Sequence, residues 1–144
     1  MKTVFFLLLL CVQPLALANW TSGNELNTKL NQHPENFYAA GFSLGYVSAL
    51  ADQQSTAISK IVARIAQDES LSPSQKRAML EQAYEMLKGS FICFPGGTTV
   101  GQLHAVVKNW LAANPARWNE SASTLVLDAL RGSFPCKSAD DLLK

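Results

Sequence analysis

Residue types that carry metal, nucleotide or nucleic-acid chemistry are scarce in this sequence. The chain has two histidines and three cysteines among 144 residues, and their spacing suggests no zinc site. The glycine pair at residues 96–97 lacks the lysine and the spacing of a phosphate-binding loop. Twelve basic residues stand against eleven acidic ones, with no long block of one sign, which argues against the basic surface that nucleic acid requires. We therefore expect no metal, no cofactor and no nucleic-acid partner.

The first 18 residues have the pattern of a secretory signal peptide. Lys2 precedes an apolar run from Val4 to Val12, and Ala16-Leu17-Ala18 provides a small-residue cleavage signal. The run is too short to span a bilayer, and no later segment approaches the roughly 20 consecutive apolar residues that a span needs. We therefore predict a signal peptide at residues 1–18 and one soluble domain at residues 19–144.

Two cysteines, Cys93 and Cys136, remain after the predicted cleavage. In an oxidising compartment such a pair typically forms a disulfide, and closing this loop stabilises a fold by roughly 4 kcal/mol in the chain-entropy treatment. Two alternatives stay open: two separate buried thiols, or a nucleophilic Cys93 with His104 as its base, which requires a free thiol. Without that role, His104 is expected on the solvated side of its helix, followed by Lys108. No catalytic residue is predicted.

Apolar residues recur with helical spacing in every long segment, and no run alternates as a half-buried strand does. We predict an all-α fold, a small single-domain helical bundle of about five helices with one disulfide. The five longer predicted helices cover residues 35–51, 56–67, 73–88, 99–113 and 121–131, and a short first helix is expected at residues 24–30. Ser72-Pro73-Ser74-Gln75 and the segment from Thr99 to Gln102 have the pattern of capping boxes. The tail after Cys136 is expected to fray.

Three local features suggest roles beyond the helical pattern. Gly41 and Gly45 lie four residues apart in a helix, where small residues let another helix approach closely. A hinge at residues 69–71 separates two amphipathic helices. Trp118 follows Arg117, and an exposed tryptophan beside arginine has the composition of an interface hot spot. These features suggest a binding domain.

Three segments of the C-terminal third form an ordered set of motifs: residues 93–102 (CFPGGTTVGQ), residues 106–111 (VVKNWL) with Asn114-Pro115, and residues 129–136 (ALRGSFPC). This set resembles the Rap/Tai family of immunity proteins, and the match covers about half of the chain that remains after signal cleavage. Gly45-Tyr46-Val47 is similar to the glycine-tyrosine helix of that family. Members often carry a second cysteine pair, where this chain has Asn31 and Ser43.

The resemblance implies a periplasmic, non-enzymatic, homodimeric protein that binds and occludes a peptidoglycan amidase delivered by type VI secretion. An inhibitory loop would enter the amidase cleft, and a preorganised loop loses little entropy on binding. We expect four residues to contact the partner: Asp68, Glu69 and Ser70 at the hinge, and Trp118. The hinge offers carboxylates to a cleft that normally holds an acidic peptide stem. The alternative function is a periplasmic stress or chaperone-like helical binding protein.

Overall fold

The computed structural model describes residues 21–32 and 35–143. The predicted signal peptide lies outside the described residues. The five α-helices of the described part are α1 (Gly23–Asn31), α2 (Phe37–Gln67), α3 (Pro73–Met86), α4 (Val100–Ala113) and α5 (Ala122–Ser133). Two 3₁₀ turns cover Pro115–Arg117 and Ala139–Leu143. The predicted all-α bundle is confirmed.

Side-chain caps fix where most of these helices begin. Ser72 and Thr99 both form complete capping boxes, with Gln75 and Gln102 as their reciprocal partners. These bonds satisfy amide groups that the first helical turn leaves without a partner. Both predicted capping boxes are confirmed. Just beyond the end of α3, Gly89 has a φ of +82°, a backbone conformation that glycine adopts without a steric cost.

Most apolar side chains form one main core between α1, the first half of α2, α4 and α5. Its α2 members end at Ala51, and side chains with no exposed surface include Leu26, Leu111, Leu125 and Leu130. The α4–α5 pair lies between the two cysteines in sequence. The predicted disulfide Cys93–Cys136 is present, and the Cys93 amide donates to the Phe134 carbonyl at 2.9 Å.

A second, smaller cluster lies beyond the main core. It consists of Ile58, Tyr84, Phe91 and Leu142, with the disulfide packed against it. It joins the second half of α2 to α3 and to the C-terminal 3₁₀ turn. We call residues 58–86 the arm and residues 68–72 its tip.

Two helices predicted separately, residues 35–51 and 56–67, form the single helix α2. The polar residues between them, which include Asp52, Gln53 and Gln54, continue the helix with mostly outward-facing side chains. Since this stretch contains neither proline nor glycine, nothing in it breaks the helical backbone. The predicted break was wrong because a polar stretch was treated as a connection.

The C-terminal tail was predicted to fray, and this was also wrong. Leu142 is only 7% exposed and packs in the second cluster. The Lys137 amide donates to the Asp141 carboxylate at 2.9 Å, and the Tyr84 hydroxyl donates to the Cys136 carbonyl at 3.1 Å. The tail therefore forms part of the structure that holds the arm.

The glycines of α2 do not mark a close helix contact. A Cβ added at Gly41 or Gly45 would meet no atom within 4 Å, so that expectation was wrong. The tight glycine is Gly23, where an added Cβ would lie 2.8 Å from the Trp118 carbonyl oxygen and would also clash with Leu125.

Candidate functional site

The arm carries the predicted hinge residues at the end of a projecting helical pair. Helix α2 has 31 residues, about 46 Å at 1.5 Å per residue, and its contributions to the main core stop at Ala51. Beyond that point, α2 packs against α3 and the C-terminal turn through the second cluster. The tip is therefore separated from the main core by about four helical turns of α2.

Hydrogen bonds within the tip hold its backbone in one conformation. The Asp68 carboxylate accepts from the Ser70 amide at 3.0 Å and from the Ser70 hydroxyl. Gln75 accepts from the Ser72 amide at 2.9 Å. Across the turn, the Lys76 ammonium donates to the Ala66 carbonyl at 2.6 Å, one of the last acceptors of α2. Such a turn is already ordered before any partner arrives.

The tip is exposed and carries negative charge. Asp68, Glu69 and Ser70 are all solvent-exposed. The two hydrogen bonds from Ser70 lower the pKa of Asp68, and the positive charge of Lys76 adds to the effect. Asp68 is therefore ionised at neutral pH, because hydrogen bonds to a carboxylate favour its charged form. The tip can offer fixed carboxylate oxygens to a partner.

Trp118 lies elsewhere and is less exposed than the sequence suggested. Its indole nitrogen donates to the Leu111 carbonyl at 2.8 Å, and its ring packs half-buried against the main core. Arg117 beside it pairs with Glu120 at 2.7 Å and with Asp128 at 2.8 Å. The structure does not bring Trp118 together with the tip, since one belongs to the main core and the other to the arm. Partner binding by either one stays a prediction.

The cysteine alternatives are settled by the disulfide. Cys93 and Cys136 are bonded to each other, so neither presents a free thiol for attack on a substrate. His104 is half-buried rather than solvated, and its Nε2 lies 3.2 Å from the Ser43 hydroxyl. Ser43 is itself fully buried, and its hydroxyl also donates to the Ala40 carbonyl at 3.1 Å. A serine nucleophile needs an exposed oxygen, which this pair does not provide.

The described residues were also compared with the patterns of a metal site, a membrane span and a catalytic carboxylate pair. Within residues 21–32 and 35–143, no group of three histidine, cysteine or carboxylate side chains is placed to hold a metal ion. Over the same residues, no helix has both the length and the apolar character that a bilayer crossing needs. Glu81 and Glu85 are four residues apart on α3, but each pairs with a cation, Arg77 at 3.1 Å and Lys88 at 3.7 Å. They form ion pairs on a solvated helix face.

These features define a small disulfide-bonded α-helical scaffold that presents a hydrogen-bonded, acidic tip. The family model of the Rap1a immunity proteins matches residues 10–136. The chain therefore belongs to the Rap1a immunity protein family, which implies a protein that binds a cognate effector. A search of curated proteins and a search of solved structures each returned no significant match.

The sequence analysis missed two interactions that position the tip, a hydrogen bond across the turn and the packing of a C-terminal leucine. The bond from Lys76 to the Ala66 carbonyl crosses ten residues, and no local pattern signals such a contact. Leu142 had a detectable signal, because Leu142-Leu143 is an apolar pair in an otherwise polar tail. One leucine of that pair is buried and the other is 57% exposed.

Proposed function

We propose that this chain is a periplasmic immunity protein that binds a type VI-secreted peptidoglycan amidase and occludes its active-site cleft with the tip of the arm. Membership of the immunity family supports the general role. The observation that carries the specific proposal is the tip itself, which is exposed, negatively charged and hydrogen-bonded before binding. Occlusion requires shape and position and no catalytic residue.

The acidic character of the tip matches the chemistry of the proposed target. An amidase that accepts acidic peptide stems has a cleft suited to carboxylates, and Asp68 and Glu69 would occupy that cleft. Charged groups at an interface also steer association and discriminate between partners. Because the arm is ordered in advance, the interaction energy is not reduced by the cost of folding a loop.

Complex formation with candidate amidases tests this function directly. The protein should form a stable 1:1 protomer complex with its cognate amidase, inhibit peptidoglycan cleavage and protect cells that receive the enzyme. Asp68→Asn with Glu69→Gln removes both charges, while the side-chain amide oxygen introduced at position 68 can still accept from Ser70. We expect the Kd to rise about 10- to 100-fold, as for truncation of an interface hot spot.

A charge-matched variant separates tip contacts from general electrostatics. Asp52→Asn with Glu35→Gln removes two exposed carboxylates away from the tip, and its Kd should stay within about threefold of the unmodified value. Equal losses in both double variants would show that net charge, not the tip, governs binding. If no candidate amidase forms a complex and no cell is protected, the amidase proposal is wrong.

The proposal includes export and a homodimer. Cell fractionation with N-terminal sequencing should find the protein in the periplasm beginning at Asn19, and a cytoplasmic protein that begins at Met1 would contradict export. Light scattering of the purified protein should give twice the protomer mass, and a monomer at micromolar concentration would contradict the dimer.

A further inference from the structure

A small pocket lies between the end of α1, the first half of α2 and the middle of α4. Its volume is about 250 Å³. Most of the residues that line it are polar or basic: Lys29, Gln32, Ser43, His104 and Lys108. The others, Leu30, Ala40 and Leu44, are aliphatic. None of them belongs to the arm, so the pocket is separate from the tip.

The pocket has two lysines, and among the described residues only one of them pairs with a carboxylate. The Lys29 side chain is only 15% exposed, and its ammonium lies 3.6 Å from Glu25, 4.9 Å from the centre of the Tyr38 ring and 4.6 Å from that of Phe42. Lys108 is half-buried, and within the part of the chain that the structure describes it forms no ion pair with a carboxylate. The pocket therefore has an excess of positive charge in a partly desolvated place, where an opposite charge is most favourable.

His104 adds a group that can become a donor. Ser43 has one hydroxyl proton, and it donates this proton to the Ala40 carbonyl. The 3.2 Å contact between Ser43 and Nε2 of His104 is then satisfied when Nε2 donates, which leaves Nδ1 free to take up a proton. Burial and the nearby charge of Lys108 lower the pKa of His104, so the ring is neutral at pH 7.

We propose that this pocket is a binding site for a carboxylate group, held by the ammonium group of Lys108 beside His104, with Lys29 adding positive charge from the α1 side. A single negative charge matches the pocket, because Glu25 already balances one of its two lysines. A phosphate dianion would bring more charge than the pocket offsets at neutral pH. Lys108 on α4 is the charged group that acts on the ring, and α2 contributes the neutral hydroxyl of Ser43. Lys29 on α1 lines the same pocket and is paired with Glu25.

A bound carboxylate would place negative charge beside the imidazole and favour its protonated form. Binding should therefore raise the pKa of His104 and tighten as the pH falls from 8 to 6. This linkage distinguishes occupation of the pocket from a general effect of salt, which screens exposed charges and does not saturate.

Nuclear magnetic resonance of the protein purified from the periplasm tests the site, with acetate as the probe and chloride added to hold the ionic strength constant. The two histidine rings of the chain are assigned by the loss of one signal set in His104→Asn. We expect saturable shifts of the His104 ring signals and a higher pKa for that ring in acetate. Inorganic phosphate at pH 8, where the dianion predominates, should bind at least about threefold more weakly than acetate at the same pH.

Lys108→Met should weaken acetate binding about tenfold, since it removes the cation without an ion-pair partner. Lys60→Met is the matched control, because Lys60 is exposed on α2 outside the pocket, and it should leave binding unchanged. Non-saturating shifts, equal shifts in both variants, or an unchanged pKa of His104 in acetate would overturn the proposal. Amidase binding by the tip is not required for any of these results.

Discussion

Replacing Leu142 tests whether the C-terminal turn holds the arm. Leu142 is 7% exposed and packs against Ile58, Tyr84 and Phe91. Truncating a buried leucine to alanine costs about 2–5 kcal/mol, and a small cluster near the surface places Leu142→Ala at the low end, about 2 kcal/mol. If the arm opens while the main core stays folded, this cost increases the open population of the arm about 30-fold, because each 1.4 kcal/mol is a factor of ten.

Native-state hydrogen exchange measures this opening residue by residue. Amides of α3 and of the second half of α2 should exchange about 30-fold faster in Leu142→Ala. Leu143→Ala is the surface control: Leu143 is 57% exposed, so the change should stay within about 0.5 kcal/mol.

A core variant provides the second control and the refutation. Val107→Ala removes volume from a residue with no exposed surface in the main core, so it lowers the free energy of global unfolding. Since it leaves the second cluster intact, arm amides that exchange through local opening should keep their rates. If Val107→Ala accelerates the arm amides as much as Leu142→Ala does, the arm and the main core unfold as one unit and the reasoning is refuted.

Three further predictions concern stability. Gly23→Ala should lower the free energy of unfolding, measured by chemical denaturation, by about 1–3 kcal/mol, because the new Cβ meets a backbone carbonyl. Gly41 has open space around it, so Gly41→Ala should raise that free energy by about 0.5–1 kcal/mol. Equal effects of the two substitutions would contradict this. Hydrogen bonds from Arg117 lower the pKa of Glu120 below its ordinary 4.5, so the stabilisation of the fold by this ion pair is complete above pH 4.5 and is lost as the pH falls through the lowered pKa. Between pH 6 and pH 3 the melting temperature should therefore fall less steeply in Arg117→Met than in the unmodified protein. Equal slopes would show that the ion pair does not stabilise the fold. Reducing the disulfide should cost about 2–5 kcal/mol, and an unchanged melting temperature after verified reduction would show that this constraint is not stabilising.

Helix starts and the cross-link followed from the sequence because their signals are local or compositional. A serine or threonine with glutamine three residues later specifies a capping box at Ser72 and at Thr99, and two remaining cysteines allow only one intramolecular pairing. The single helix α2 was missed because its middle residues are polar, and polarity reports exposure rather than the end of a helix. The arm could not be predicted, since Leu142 and Tyr84 meet across 58 residues of sequence through tertiary packing alone.

The candidate site divides in the same way. The sequence predicted a hinge at residues 69–71 with partner contacts by residues 68–70; the structure shows a turn there with residues 68–70 exposed, and the partner contacts stay a prediction. It suggested an exposed Trp118, yet the ring is half-buried because its indole nitrogen finds the Leu111 carbonyl. Sequence neighbours such as Arg117 say little about exposure when the partner atom comes from another element. The pocket between Lys29 and Lys108 was missed for the same reason, since its members come from three helices.

The cross-link and the C-terminal turn affect binding only to the extent that the arm opens. Cys93 and Cys136 pack against the second cluster, and the Cys93 amide donates a hydrogen bond to the Phe134 carbonyl at the end of α5. The disulfide therefore joins the cluster that holds the arm to the main core. The measured Kd equals the intrinsic Kd divided by the fraction of molecules with a closed arm. When closure is favoured by more than about 4 kcal/mol, a loss of about 2 kcal/mol leaves over nine-tenths of arms closed and the Kd nearly unchanged. When closure is favoured by only about 1 kcal/mol, the same loss leaves a minority closed and raises the Kd several-fold. The hydrogen-exchange rates of the arm therefore determine in advance whether Leu142→Ala weakens effector binding or only destabilises the protein.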